Sequence, residues 1–481
     1  MPSLNITDAQ FRTASQSIQN KYIRLELLNY QFQTVDSLEG VATSGSITID
    51  ANSDMRRTAS ITLVVKDSSF QVTPGGKIWL DKYIRIWVGI DSFATGEIEW
   101  TNCGIYIIDA PNYQYDAATN ILTLTLLDLM AKLTGVRNGY LPGVPVVLSA
   151  GESIRQAIID TLALGGFTSY IVEEPPSPGT IPNDLEFSQG ATVYDLLAGL
   201  RDIYPNYEIF FDTNGTFFYR PIPTGEGDPV LVDDTLWKNI VVSEQVDVDF
   251  QNVKNVVEVW GRTHDPAHFS TETTVSGSTI NLTIADVTEY TEDMIYGFTL
   301  TDNPGYTDMS LQIGSLTAYP IYLLDGETPA IINAEEGEIY YCVQFKGTYW
   351  LWLGHLQSYG YAEDDNPDSP FYTQGTVGEI RLPLFDSDYA NCFTDELAQQ
   401  RADYELWMHT NMNNSVVLTC IPVYWMDVNI LCSYTSHETQ STDEYLIKNI
   451  SIGLGAEENM SINMIKFYPN QPAITSRIER R

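Results

Sequence analysis

Residues 105–129 read IYIIDAPNYQYDAATNILTLTLLDL. Two runs of alternating β-branched, aromatic and leucine side chains flank a polar turn, DAATN at 116–120. A period of two places every second side chain on one face, so each run reads as a strand with one buried face, paired with the other across the turn. The strand KYIRIWVGI (82–90) precedes them. The same order returns near the other end of the chain as DVNILCSYT (427–435) followed by EYLIKNISIGLGAEENMSINMIKFY (444–468). Tyr106-Ile107-Ile108 matches Tyr445-Leu446-Ile447, and Leu122, Leu124 and Leu126 match Met460, Ile462 and Met464 with a slip of one residue. This echo predicts two copies of one β-sandwich or barrel.

Working outward, YIRLELLNY (22–30), GSITI (45–49) and SITLVV (60–65) add strands to the first copy, while residues 1–20 are polar and read as a flexible arm or an element that orders on a neighbour. After Pro145 the period changes. Ser149-x-x-Glu152 has the pattern of a capping box ahead of Ile154, Ala157, Ile158 and Leu162. A second helix opens near Gly190, presents Val193, Leu196, Leu197 and Leu200, and ends before Pro205. YEIFFDTNGTFFYR (207–220) then reads as an aromatic hairpin around Asn214-Gly215. Strands resume with NVVEVW (255–260), and residues 263–375 carry strand signals without a convincing helix. TDELAQQRADYELWMHT (394–410) is the clearest helix: Thr394 is its N-cap, Asp395 and Glu396 oppose the dipole, and Leu397, Tyr404 and Met408 lie near one face with Ala398 and Ala402 beside it. It is expected to pack on the second copy's sheet. The first copy offers only LLDLMAKLTG (126–135) in its place.

The chain has 481 residues, enough for three or four domains. With 43% hydrophobic and 18% charged residues it has the composition of a folding protein. Lys and Arg number 25 against 63 Asp and Glu, a formal charge of −38, which repels phosphate backbones and anionic membranes over a Debye length of about 8 Å. Nucleic-acid binding is disfavoured, although a wall that nucleic acid passes without sticking is compatible. Cys103, Cys342, Cys392, Cys420 and Cys432 lack Cys-x-x-Cys spacing and read as buried apolar residues made in a reducing compartment. The start MPSLNITDAQFRTASQ has no signal-peptide pattern, and no run approaches 18 apolar residues, so no membrane anchor is expected.

Chemistry-bearing patterns are sparse. His264 and His268 stand four apart, but Pro266 between them argues against a shared helix face. Neither a Gly-x-Ser-x-Gly elbow nor a phosphate-binding Gly-rich loop occurs. Asp247 and Asp249 alternate along a strand and would share a face, as a hydrolytic acid pair or as surface acids. Tyr349, Trp350 and Trp352 would stack on sugars or fill a core. No catalytic, cofactor-binding or metal-ligating residue is assigned, no cofactor is expected, and the chain is read as a non-enzyme.

The order of parts resembles the baseplate hub proteins of phage tails and related contractile injection systems. The resemblance rests on KYIRIWVGI with IYIIDAPNYQYDAATNILTLTLLDLMAKLTG, on GESIRQAIIDTL with GATVYDLLAGLRDIYPNYEIFFDTNGTFFYRP, and on FTDELAQQRADYEL with DEYLIKNISIGLGAEENMSINMIKFYP. It implies a mainly β, multidomain chain with α+β parts: an N-terminal arm (1–20), a tube-like β domain (21–141), a small α+β domain (142–235), a second, discontinuous tube-like domain (236–262 and 376–470), an inserted all-β domain (263–375) and a basic C-terminal tail (471–481). It further implies a structural virion protein, a homotrimer whose six tube-like domains form a pseudo-hexameric ring in the tail baseplate, assembled in the host cytoplasm. Such a hub would adapt a tail tube or distal tail protein to a spike, fibre or other baseplate protein, with a tape measure protein as a further partner. DNA would pass during genome ejection without specific binding, along a wall expected to be acidic. The alternatives are a receptor- or carbohydrate-binding baseplate protein acting through the inserted domain and, third, an acidic glycoside hydrolase.

Overall fold

The two alternating stretches fold into hairpins that share an irregularity. In the computed structural model, which describes residues 6–466 apart from 17, 40–41, 66–71, 116–119, 144, 226–227, 302–303, 334–338, 386–388 and 412–413, the strand Ile98–Tyr115 pairs with Asn120–Leu127 and is bulged between Ile108 and Ala110. Thr442–Gly453 pairs with Met460–Lys466 and is bulged between Ile447 and Asn449. Asp109 and Lys448 are therefore equivalent. Aligned on them, Ile108 faces Leu126 as Ile447 faces Met464, and Tyr113 faces Leu122 as Ile452 faces Met460. The one-residue slip seen in the sequence falls in the hairpin connection. Most of the predicted turn at 116–120 and all of the basic tail lie outside the described residues.

These hairpins belong to one twelve-stranded sheet. Its strands, numbered along the chain, are β1 (Lys21–Leu28), β2 (Thr34–Glu39), β3 (Ala42–Asp50), β4 (Arg57–Val64), β5 (Tyr83–Asp91), β6 (Ile98–Tyr115), β7 (Asn120–Leu127), β8 (Val241–Val248), β9 (Asn414–Cys420), β10 (Leu431–Thr435), β11 (Thr442–Gly453) and β12 (Met460–Lys466). The order is β8-β9-β12-β11-β3-β4-β7-β6-β5-β1-β2, with β10 pairing to β11 as well. The duplication is explicit: β3-β4-β7-β6-β5 repeats as β8-β9-β12-β11-β10. The two copies are fused through the antiparallel pair β11–β3, in which Ile450 faces Ile49 and Ile452 faces Ile47. One hydrophobic core runs across both and includes Ile61, Leu124, Leu126, Leu418, Ile462 and Met464. Each such side chain, fully buried, contributes about 1.5–3 kcal/mol.

Helix α1 (Asp8–Ala14) occupies part of the expected N-terminal arm. Thr7 and Gln10 form a capping box, Gln10 Nε2 donates to the Trp100 carbonyl (3.1 Å), and Phe11 stacks on Trp425 at 6.0 Å. Residues 8–14 thus order on their own chain, because Phe11, Thr13 and Ala14 give the segment one apolar face. Helix α2 (Ile154–Leu164) is capped by Ser153, whose hydroxyl accepts from Gln156 N–H, and not by Ser149. The helix starts one turn later than the capping-box pattern implied. Helix α3 (Val193–Arg201) has a capping box of Thr192 and Asp195. Phe211 and Phe217 close the predicted aromatic hairpin, with Gly215 at φ 82° in its turn. This α+β part covers the outer face of the first copy, where Tyr83, Ile105 and Ile107 join Leu129, Ile158 and Leu197 in a second core. The 126–135 stretch contributes a 3-10 turn, Leu129–Lys132, capped by Asp128.

Helix α4 (Asp234–Ile240) leads into β8, and residues 249–413 are then inserted between β8 and β9, at the position of the short β3–β4 turn in the first copy. Val256–Thr263 does not join the large sheet. It pairs with Gln357–Glu363 and Arg381–Leu384 in a separate three-stranded sheet. An eight-stranded sheet spans the segment from His268 to His355, around a core containing Tyr296, Phe298, Leu311 and Trp350.

Helix α5 (Asp395–Asn411) joins these parts. It has the predicted Thr394 cap, whose hydroxyl accepts from Leu397 N–H (3.3 Å). Tyr404 and Trp407 lie on Leu431, Leu446 and Ile465 of the second copy, as expected for Tyr404. Ala398, Ala402 and Leu406 instead pack on Val257, Val259 and Ala362 of the three-stranded sheet. Leu397 enters a cluster with Cys342, Leu351 and Leu353. The helix is wedged between units, with apolar residues on several sides, as a buried helix requires. Its Asp395 carboxylate accepts from His355 Nδ1 (2.7 Å) and Tyr359 N–H (2.8 Å), fixing its start to the inserted unit.

Candidate functional site

The residues singled out by chemistry do not converge. His264 is buried, its Nε2 lies 3.2 Å from Ser358 Oγ, and burial pushes it down to about 4, so it is neutral near pH 7. His268 stacks on Tyr296 at 5.9 Å. Among the described residues, no group of three or more His, Cys, Asp or Glu is placed to hold a metal ion. Asp247 accepts from Gln245 Nε2 (3.1 Å), and Asp249 accepts from Gln251 N–H (2.8 Å) and Asn252 Nδ2 (2.7 Å), so each serves its own neighbourhood. Trp350 is fully buried and donates to the Leu311 carbonyl (3.0 Å), while Trp352 packs on Phe298 and Tyr341. Both are core residues and offer no sugar platform. A cavity of about 10 Å³ under α1, lined by Thr13, Glu99, Tyr424 and others, has room for one water.

A buried polar network that sequence reading missed locks the two sheet copies to the α+β part. Glu208, on the aromatic hairpin, accepts from Arg56 Nη1 (2.8 Å), Arg220 Nε (2.8 Å) and Asn429 Nδ2 (2.5 Å). Arg57 donates to the Phe211 carbonyl (2.6 Å) and pairs with Asp427. Both guanidiniums of Arg56 and Arg220 lie over Phe210, at 3.7 and 4.8 Å. Burial works to raise Asp427, but Arg57 and Arg56 overcome it and hold the carboxyl below its ordinary range. Burial pushes Asp128 up to about 6, against hydrogen bonds from Met130 and Arg57 N–H. In the sequence, SDMRRT (53–58) looks like an exposed turn, and only the pairing of distant segments reveals its role.

The surfaces left for function are the sheet's solvent face and its edges. The face of the sheet turned away from the shared core is rich in hydroxyls and amides. It presents Ser46 and Thr48 on β3, Thr58, Ser60 and Thr62 on β4, Asn112 and Gln114 on β6, and Ser461 and Asn463 on β12, with Asp247 an acid on β8. Hydroxyls and amides tolerate cross-strand neighbours of their own kind, whereas carboxylates directly opposite one another destabilise a sheet. The edges are apolar where they are free. Tyr113 and Tyr115 on β6 are 54% and 70% exposed, and Val248 and Phe250 at the end of β8 are 48% and 80% exposed.

Comparison with solved structures places this architecture among tail proteins. The 43 kDa tail protein of prophage MuSo2 from Shewanella oneidensis superposes with a TM-score of 0.52 at 12% identity, over 92% of this chain and 98% of that one. The tail protein from Neisseria meningitidis MC58 gives 0.50 at 9% identity, over 92% and 96%. At these identities the likeness is one of fold, and the chain has a phage-tail-protein fold, as the resemblance implied. Residues 368–471 match a family described as a domain of unknown function, DUF5048. No curated protein matches the sequence.

Proposed function

We propose that this chain is a structural hub of a tail baseplate, in which three copies close a ring that presents six similar domains to a hexameric tube and three-fold symmetry to a spike or fibre. The observation that carries this reading is the duplicated strand order, β3-β4-β7-β6-β5 and β8-β9-β12-β11-β10, within one continuous sheet. Two like domains per chain and three chains give six like positions, the arrangement that reconciles six-fold with three-fold partners. The shared tail-protein fold supports the same reading. The hydroxyl- and amide-rich face would line the passage. Such a wall is poor in cationic side chains, and the acidic remainder of the surface repels DNA at long range. In this role the chain catalyses nothing and works by presenting edges and faces.

Light scattering of the purified chain, alone and mixed with tube protein or spike, tests the proposal. A mass three times that of the monomer, with a pseudo-six-fold axial projection in negative stain, is expected. A strict monomer under all these conditions refutes it.

A further inference from the structure

Each sheet copy contains a long strand whose two halves have different neighbours on one side. In β11 the first half pairs with β10, and the second half, from Asn449, pairs with β3. The equivalent strand β6 pairs with β5 only up to Ile107. Beyond that, among the described residues, it pairs with β7 alone. The strand equivalent to β3 is β8, and among the described residues its outer edge is also free, since β9 is the one strand paired with it there. The chain thus carries one made junction and the two halves of a second.

Burial tells the same story. At the made junction, Ile450, Ile452 and Leu454 are 0–2% exposed, as are Ile47 at 1% and Ile49 at 4%. Their equivalents at the free edges are Pro111, Tyr113 and Tyr115 on β6, and Val246 and Val248 on β8. Tyr113, Tyr115 and Val248 are the exposed apolar residues noted above. Apolar side chains at positions that are buried in one copy and bare in the other are accounted for by a missing strand.

We infer that β8 of one copy adds to the outer edge of β6 in the next copy, in the register of β11 on β3. This rests on the ring reading and specifies its contacts. Transferring the register through the bulges sets Tyr113 opposite Val246, Pro111 opposite Val248, and Asn112 opposite Asp247. Asn112 then offers its amide to a carboxylate, and no acid faces an acid among these pairs. Backbone direction agrees. Ala51 N–H donates to the Lys448 carbonyl and Leu454 N–H to the Gly45 carbonyl, both at 2.9 Å, so Ile450 and Ile452 turn their peptide groups toward β3. Pro111 and Tyr113 accordingly face outward. On β8, Ser415 Oγ donates to the Asp247 carbonyl (3.4 Å), which places that carbonyl on the β9 side and turns Val246 and Val248 outward. Pro111 cannot donate, so this junction has one hydrogen bond fewer than the made one, while its carbonyl remains open to Val248 N–H. Proline is the residue that an edge tolerates and that discourages indiscriminate strand addition.

The test is cysteine cross-linking of the full chain. Asn112 and Asp247 would be a non-hydrogen-bonded pair with Cα atoms roughly 4.5 Å apart, within disulfide range. On mild oxidation, Asn112→Cys/Asp247→Cys should run as a covalent trimer on a non-reducing gel and collapse to monomer with reductant. Each single variant and the out-of-register pair Asn112→Cys/Ser243→Cys should run as monomers. A second arm uses Val246→Pro, which deletes an outward N–H. Val246 packs partly on the shared core, so the variant should still unfold cooperatively, at a lower midpoint, and lose the trimer mass. A trimer by light scattering without the in-register disulfide, or one that survives Val246→Pro, overturns this junction and leaves the ring standing. A wild-type chain that is monomeric under every condition overturns both.

Discussion

Replacing Glu208 with alanine tests whether the buried polar network locks the two sheet copies to the α+β part. Glu208 is 6% exposed and accepts from Arg56, Arg220 and Asn429 at 2.8, 2.8 and 2.5 Å. Truncation leaves two guanidiniums in the interior. Arg56 retains the Val428 carbonyl (2.7 Å) and the edge of Asp427 (3.5 Å), whereas Arg220 loses its ion-pair partner. Removing one member of a buried pair costs about 3–5 kcal/mol, most of it the stranded charge. Glu208→Gln keeps an acceptor and the shape but turns an amide donor toward donors, and is expected to cost about 1–3 kcal/mol. Glu208→Leu/Arg220→Met, which removes both charges, should cost less than Glu208→Ala. Urea unfolding at pH 7 followed by tryptophan fluorescence gives the order, and limited proteolysis should show the 142–235 part loosening first in the alanine variant. A Glu208→Ala protein within about 1 kcal/mol of wild type, a difference typical of exposed ion pairs, would refute the idea that this network couples the units.

Three further outcomes follow from the same packing. A Cβ on Gly360 would sit 2.2 Å from the Ala398 carbonyl oxygen, so Gly360→Ala should push α5 off the three-stranded sheet at a cost of about 1–3 kcal/mol, read as faster hydrogen exchange in α5; unchanged exchange counts against that seam. Burial pushes Asp403 up to about 6 from 3.8, against the Gln399 hydrogen bond. The folded state therefore binds a proton that the unfolded state has released, and stability falls as pH rises between about 4 and 6, by at most about 3 kcal/mol. Asp403→Asn should flatten part of that slope and stabilise the protein at pH 7, with Asp128, Asp364 and Glu396, which burial also raises, leaving the remainder; an unaltered slope in a pH series of urea midpoints contradicts this. Trp350→Ala empties a fully buried site in the inserted unit and should cost about 3–5 kcal/mol there, with proteolytic cleavage confined to residues 264–356 and the oligomeric mass unchanged.

The duplication was legible because its signal is local. Tyr106-Ile107-Ile108 and Tyr445-Leu446-Ile447 lead into the same bulge, and alternation fixes which face each residue takes. The aromatic hairpin and the cap Thr394 are local in the same sense. What lay beyond reading depends on contacts distant in sequence. The pair β11–β3 joins Asn449 to Asp50, and nothing in either segment names the other. Helix α5 was placed on one sheet because Leu397, Tyr404 and Met408 suggested a single stripe. Ala398 and Ala402 looked like flank, yet Gly360 makes them the closest approach to the three-stranded sheet. Net charge is mute for a related reason: −38 is a property of the whole chain, and it carries no information about how acids are distributed over the faces of a sheet.

The insertion at the β8–β9 connection sharpens what the duplicated fold can do. In both copies the inner face is filled by the shared core, and the outer face of the long strand's first half is covered. Tyr83 and Ile107 lie under the α+β part, while their equivalents Leu431 and Leu446 lie under Tyr404 and Trp407 of α5. Two unrelated elements therefore seal equivalent surfaces. Neither reaches the second half of the strand, where β11 receives β3 and where the edge of β6 stands free. The divergent parts thus lie on positions that a ring does not need, and the like parts remain at those it does. Among the described residues a free β6 edge is matched by a free β8 edge on the same chain, a head-to-tail surface that makes a closed ring only if the turn per copy divides a full circle, and otherwise an open filament. In the proposed ring the made junction β11–β3 fixes how the two copies within a chain sit on one another, so enlarging Ile49 or Ile450 in that junction should convert the expected trimers into polydisperse assemblies visible in negative stain, and an unchanged trimer mass counts against this.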